Sequence, residues 1–326
     1  MESKYILYGG ELSYFTRKLE AALHFYGLDF EMREKSRSDA AMIESRSGTH
    51  QIPVLETPEN WMISDTTPII QFLDARFPAT CMFPKGLNGI LVHILEEFFD
   101  EWVARTMVHY RWHYEESATF ASLRMANGNE AIAERVKSWG PRACRATGTD
   151  SRLQQKAAEA EYLRVLEAME TQLGETPYML GTRPTALDCV LLGGLRAHTN
   201  MDPDPKKVTA KFPKVLAWCD DTADRWDGSG QVQPFTEPTK FARFVLGEMG
   251  TTYQPYIMAN RDAQLAGAKA FHVSIYDEDV SYLSRSYPEA SRQMILQRIQ
   301  HNLNDAERRE IFAWLSEQNL DGCFSD

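Results

Sequence analysis

Residues 51–78, QIPVLETPENWMISDTTPIIQFLDARFP, leave the backbone few choices. Two short apolar runs, Ile52–Leu55 and Trp61–Ile63, read as antiparallel strands joined by the turn-forming Thr57-Pro58-Glu59-Asn60. Ser64-Asp65-Thr66-Thr67-Pro68 then precedes Ile69, Ile70, Phe72 and Leu73, the pattern of a capped helix with proline in its first turn. The stretch is β–turn–β–helix, with Pro53 opening the first strand. Its chemistry suits an amino-acid-like ligand, because a helix N-terminus attracts a carboxylate while Asp65 can accept from an ammonium.

Upstream, Tyr5–Tyr8 is an apolar strand stopped by Gly9-Gly10. Ser13 leads into Leu19, Ala22, Leu23 and Tyr26 at helical spacing, with Gly27 as a C-cap. Leu28–Met32 reads as a second strand and Ser36–Glu44 as a polar helix. The order β-α-β-α-β-β-α predicts a thioredoxin-like domain. Cys-x-x-Cys chemistry is excluded at the first helix, where the tetrapeptide is Ser13-Tyr14-Phe15-Thr16.

Three pieces, SYFTRKLEAAL, THQIPVLETPE and ISDTTPIIQFLDARFP, resemble in content and order the N-terminal domain of the cytosolic glutathione transferase superfamily. The family's usual Glu-Ser is here Asp65-Thr66. The resemblance implies an α/β thioredoxin-like domain over residues 1–84 that binds glutathione as co-substrate. An all-α domain over 85–226 would hold the electrophile, and residues 227–326 are an extra, mostly helical segment. It implies a cis bond before Pro53, with the Ile52 backbone facing the cysteinyl part of glutathione. Asp65 and Thr66 would hold the γ-glutamyl group, and Gln51 and His50 would lie at the glycyl end. Ser13 matches the position of the catalytic Ser or Cys of several classes. There a hydroxyl at a helix N-terminus would favour the thiolate over a thiol of ordinary pKa about 8.5. Tyr8 and Tyr14 are the alternatives; Tyr8 lies closer to Arg17 than the family's tyrosine does, and Tyr14 also suits a substrate wall.

From Ile90 to Tyr114 runs a long aromatic-rich helix. Its position in the resemblance makes Tyr110, Trp112, His113 and Tyr114 candidates for the electrophile pocket. His109 and His113 have chelating spacing, but a third ligand is lacking, so no metal is expected. Ser151–Leu173 is a further helix, and Thr185-x-x-Asp188 forms a capping box before an apolar helix. After Gly228-Ser229-Gly230, helices are expected around Phe241–Met249, over Leu265–Phe271, and in two runs ending near Leu315. With so much apolar surface this segment must pack on something; as a lid on the α-domain it would narrow the pocket.

The formal net charge of −11 disfavours nucleic acid as a partner. The sequence lacks a signal-peptide core and a membrane-length apolar run, and its five scattered cysteines suit a reducing cytoplasm. The expected protein is a homodimeric transferase in which glutathione thiolate attacks a small apolar electrophile. A glutathione-dependent isomerase, dehalogenase or ether-cleaving enzyme would share that first step, and a non-catalytic scaffold is the alternative from another class.

Overall fold

A computed structural model describes residues 4–220 and 226–324. Its first unit has the order β1 (Tyr5–Gly9), α1 (Tyr14–Phe25), β2 (Phe30–Glu34), α2 (Ala40–Ser47), β3 (Val54–Glu56), β4 (Met62–Ser64) and α3 (Thr66–Arg76). The sheet order is β2-β1-β3-β4, with β1 parallel to β2 and antiparallel to β3. Leu7 pairs with Leu55, and Leu55 with Ile63, so one sheet face is apolar and covered by α1 and α3. This is the thioredoxin-like topology that the residue pattern predicts.

The helical part opens with α4 (Leu87–Glu97), runs through a π-helical stretch at Phe98–Val103 and continues as α5 (Ala104–His113). Four helices follow: α6 (Glu115–Met125), α7 (Glu130–Lys137), α8 (Gly140–Ala146) and the long α9 (Arg152–Gln172). Next come α10 (Ala186–Gly194), α11 (Pro203–Thr209) and α12 (Pro213–Cys219). Helix α10 is buried throughout and starts with the Thr185–Asp188 capping box. It packs against α1 at Gly193 and Gly194. A Cβ on Gly193 would fall 2.7 Å from the Tyr14 carbonyl oxygen, so this close crossing requires glycine.

Residues 226–324 are not an appendage. They contribute α13 (Lys240–Thr251), α14 (Tyr253–Leu265), a hairpin of β5 (Ala270–Ile275) and β6 (Glu278–Leu283), then α15 (Ser286–Asn302), α16 (Asp305–Glu317) and α17 (Asp321–Phe324). The hairpin corrects the helix expected over Leu265–Phe271. Phe271 and Ile275 are buried while Ala270, His272 and Ser274 are exposed, a period of two. Tyr276 and Asp277 both take positive φ (53° and 61°), as a tight hairpin turn demands. One apolar core runs from Leu7 to Phe324. Phe99 stacks on Phe241, Phe98 meets Tyr253 edge-on, and Tyr253 stacks on Phe324. Truncating any of these fully buried rings to alanine would cost about 3–5 kcal/mol.

Candidate functional site

Between α3, the π-helical stretch and α15 lies a cavity of 410 Å³. One wall is the Gln51-Ile52-Pro53 loop, in which the Ile52–Pro53 peptide is cis, together with Asp65 and Thr66 at the start of α3. Lys35 Nζ holds that loop by donating to the carbonyl oxygens of Gln51 and Thr49 at 3.1 and 3.3 Å. Asp65 sits at φ +71°, a costly conformation for a residue with a side chain, and such strain concentrates at ligand sites. Its side chain makes no cap hydrogen bond of full geometry, although the Thr66 and Thr67 amides lie close enough to favour its charged form. Burial raises the Asp65 pKa, while Lys18 and the first amides of α3 pull it down.

The floor is acidic. Glu97, Asp100 and Glu101 all line the cavity. Beneath them Lys18, wholly buried, places Nζ 2.5 Å from Glu96 Oε1, 2.5 Å from Asp100 Oδ2 and 3.2 Å from Thr67 Oγ1. Burial alone would lower the Lys18 pKa; Asp100 and Glu96 outweigh it and raise it. Burial pushes Asp100 well above the carboxylate range, against the pull of Lys18 and with Glu96 adding repulsion. Glu97 is raised by burial and by Glu101, although it accepts from Tyr253 Oη and Ser291 Oγ. Glu101 is also raised by burial, opposed by Arg285, whose Nη1 lies 3.2 Å from Glu101 Oε2. Two buried oxygens facing this region, Asp100 Oδ1 and Glu101 Oε2, make no hydrogen bond. The outer wall is α15 and the residue before it: Arg285, Tyr287, Ser291 and Met294. Tyr287 Oη donates to Gln51 Oε1 at 3.0 Å, tying the last third of the chain to the loop before Pro53.

Gln51, Ile52, Pro53, Asp65 and Thr66 therefore share one cavity. Gln51 and Ile52 also line a second, of 400 Å³, together with His50, Lys35, Gly10, Leu12, Arg124 and Met125. Ser13 lies on the chain between Leu12, which faces the second cavity, and Phe15, which faces the first. It is the N-cap of α1: Oγ accepts from Thr16 N at 3.2 Å, which leaves its own O–H available to donate.

The two tyrosines are placed elsewhere. Tyr8 Oη donates to Glu56 Oε2 at 2.9 Å, and burial then Glu56 raise its pKa. Tyr14 is buried against α10, with Oη donating to the Phe99 carbonyl oxygen at 3.2 Å, and burial raises its pKa well above normal. Tyr110, Trp112, His113 and Tyr114 line neither cavity. Tyr110 packs between Tyr114 and Tyr162, Tyr114 Oη donates to Glu159 at 2.6 Å, Trp112 lies against Gly140, and His113 is exposed. These side chains join α5 to α8 and α9. His109 shares that role, stacking on His113 and bonding Glu159 at 2.8 Å. Sequence reasoning missed the carboxylates after Leu95, the Lys18 beneath them and the wall from α15. The Glu-Glu and Asp-Glu pairs one turn apart in a helix otherwise rich in apolar residues were the available signal.

The description "Glutathione S-transferase, N-terminal domain" matches residues 7–80, and "Glutathione S-transferase, C-terminal domain" matches residues 162–222. The chain thus carries stretches of both glutathione S-transferase domains, N-terminal before C-terminal. No curated protein sequence matches it. Among solved structures it is similar to a glutathione S-transferase from Methylobacillus flagellatus with glutathione bound (15% identity, 69% of this chain and 96% of that one, TM-score 0.45). Another from Xanthobacter autotrophicus is 21% identical over 71% of this chain and 98% of its own, with TM-score 0.42. A β-etherase from Sphingobium sp. strain SYK-6 is 18% identical over 68% and 96%, with TM-score 0.48.

Proposed function

We propose that the chain is a glutathione-dependent transferase whose 410 Å³ cavity holds the γ-glutamyl end of glutathione. The observation that carries this reading is a pair of opposed electrostatic surfaces. The first-turn N–H groups of α3 at Thr66 suit a carboxylate, and Asp100 Oδ1, which accepts no hydrogen bond, suits an ammonium beside the Arg285-paired Glu101. An α-amino acid end carries both groups. The peptide would then run past the Ile52 backbone, with Gln51 and His50 toward its glycyl end. Its sulfur would lie near Ser13, where the hydroxyl and the start of α1 favour thiolate over thiol. The thiolate attacks an electrophilic carbon of a second substrate admitted from the 400 Å³ cavity. The bond to the leaving group breaks as the C–S bond forms, and the leaving group departs with the electron pair. A homodimer follows from the family expectation, and the five scattered cysteines suit a reducing cytoplasm.

Titration calorimetry with reduced glutathione tests this directly. Saturable binding that weakens at least about tenfold in Asp100→Asn and Glu101→Gln is expected, because charged hydrogen bonds are worth about 1.5–3 kcal/mol. Absence of glutathione binding by the unaltered protein refutes the reading.

A further inference from the structure

A third cavity, of 360 Å³, opens farther along the seam where α15 lies on α4. Arg298 lines it one turn beyond Met294, and His93 lies one turn before Glu97, so it is separate from the cleft above. Three observations converge there. First, the Arg298 guanidinium has neither a hydrogen bond nor an ion pair among the described residues, and its Nε is fully buried. Second, His93 is only 4% exposed and has no hydrogen-bond partner among the described residues; its ring lies parallel to Phe83 at 3.7 Å. Third, the cavity contains the N-terminus of the eleven-residue α4, whose N-cap is Gly86, without a side chain to satisfy the first-turn amides.

Lys85 and Asn302 complete the rim. A guanidinium, an ammonium, an amide NH₂ and helix-start N–H groups all donate; Arg298 is half-buried, and its wholly buried Nε lacks an acceptor although the charges of Asp74 and Glu96 act on the same guanidinium. Burial, Arg298 and Lys18 hold the His93 pKa well below normal, so its neutral ring offers one N–H without adding charge. Glu307 is a carboxylate beside Gly86: its Oε2 accepts from the Asn304 amide at 2.9 Å and its Oε1 lies 3.5 Å from where a Gly86 Cβ would stand, so an anion at the start of α4 displaces that oxygen. Phe83, Pro84 and Ile90 give the remaining wall an apolar surface suited to an organic substituent.

We propose that this cavity is a binding site for a phosphate monoester, its oxyanion held by Arg298, Lys85 and the start of α4. The substituent lies against Phe83 and Ile90. This site does not depend on the glutathione reading, since it shares no lining residue with that cleft.

The test is titration of the full chain with phenyl phosphate, with sodium chloride holding ionic strength constant. Saturable binding is expected, at least about tenfold weaker in Arg298→Gln, a charged hydrogen-bonding group being lost. Glutathione affinity should be the same in variant and parent. No saturable binding, equal binding by Arg298→Gln, or displacement of phenyl phosphate by glutathione would each overturn the proposal. Should Arg298→Gln fail to fold, Lys85→Gln changes only an exposed residue. Weakened binding in that variant supports the site, and unchanged binding overturns it.

Discussion

Replacing Lys18 with methionine keeps most of the side-chain volume and deletes one charge. In the parent, Nζ contacts two carboxylates at 2.5 Å and a threonine hydroxyl at 3.2 Å, with none of the side chain exposed. It joins α1 to α3, α4 and the π-helical stretch. Breaking a buried ion pair from one side costs about 3–5 kcal/mol, because the partner is left charged and unsolvated. Two carboxylates lose their counter-ion here, so the upper end applies, a large part of a total stability of about 5–15 kcal/mol. The expected fall in Tm is roughly 10 °C or more, at about 2–4 °C per kcal/mol for a large domain. Calorimetry and circular dichroism at neutral pH measure it. The triple variant Lys18→Met, Glu96→Gln, Asp100→Asn carries no orphaned charge and should regain most of the loss. The pH sign follows from linkage. Orphaned carboxylates in the folded single variant hold protons that the unfolded chain releases, so its deficit should shrink as pH falls from 8 toward 5. A fall in Tm under about 2 °C, or a triple variant as unstable as the single one, would refute the reasoning.

Asp188 accepts from Met179 N, Thr185 N and Thr185 Oγ1 at 2.9, 2.8 and 3.0 Å with no exposure, so Asp188→Ala orphans two buried amides. A loss of about 2–4 kcal/mol by denaturant titration is expected, with glutathione affinity unchanged. Burial pushes the Asp188 pKa from 3.8 up to about 6, so the folded chain holds a proton across that window which the unfolded chain has released. Its contribution to stability therefore declines as pH rises through the window, and Asp188→Asn should remove that slope from a series of melting temperatures. Ser13→Ala should leave glutathione affinity intact, raise the bound thiol's pKa by about one unit or more as followed by thiolate absorbance, and slow turnover with an aryl electrophile accordingly; unchanged values would exclude Ser13 as the sulfur donor. Because burial raises the pKa values of Asp100 and Glu101, the ammonium subsite should lose charge above the ordinary carboxylate range. Glutathione affinity should accordingly weaken as pH falls from 8 to 5, and a flat or rising profile would count against the assignment.

The thioredoxin-like order was legible because it rests on local signals: Gly27 ending one helix, the turn after Glu56, the polar cluster before Ile69. The Thr185–Asp188 box was legible for the same reason, both partners lying within one turn. Lys18 was not. It stands beside Leu19 in an amphipathic helix, and its partners Glu96 and Asp100 are 78 and 82 residues away. Nor was the turning of the carboxylates toward α3, which depends on the π-helical stretch at Phe98–Val103 changing the angular spacing of side chains. The aromatic residues from Tyr110 to Tyr114 looked like a pocket wall because position in a family does not reveal which face of a helix meets its neighbour. At β5 and β6 the alternation of Phe271, Val273 and Ile275 carried the strand signal, overlooked beside the helical runs that flank it.

The wall supplied by α15 also bears on how the site is made. Gln71 Nε2 meets Met294 Sδ across 223 residues of sequence. At a synthesis rate of about 5–20 residues per second, α3 waits roughly 10–45 s before that wall has been translated. For that interval the nascent chain carries an uncovered row of buried-type carboxylates and no completed cleft. Ligand capture thereby becomes a late event, open only to chains translated nearly to their last helices. A message cut short before Met294 yields a polypeptide that retains both recognisable family segments yet lacks the means to enclose its ligand.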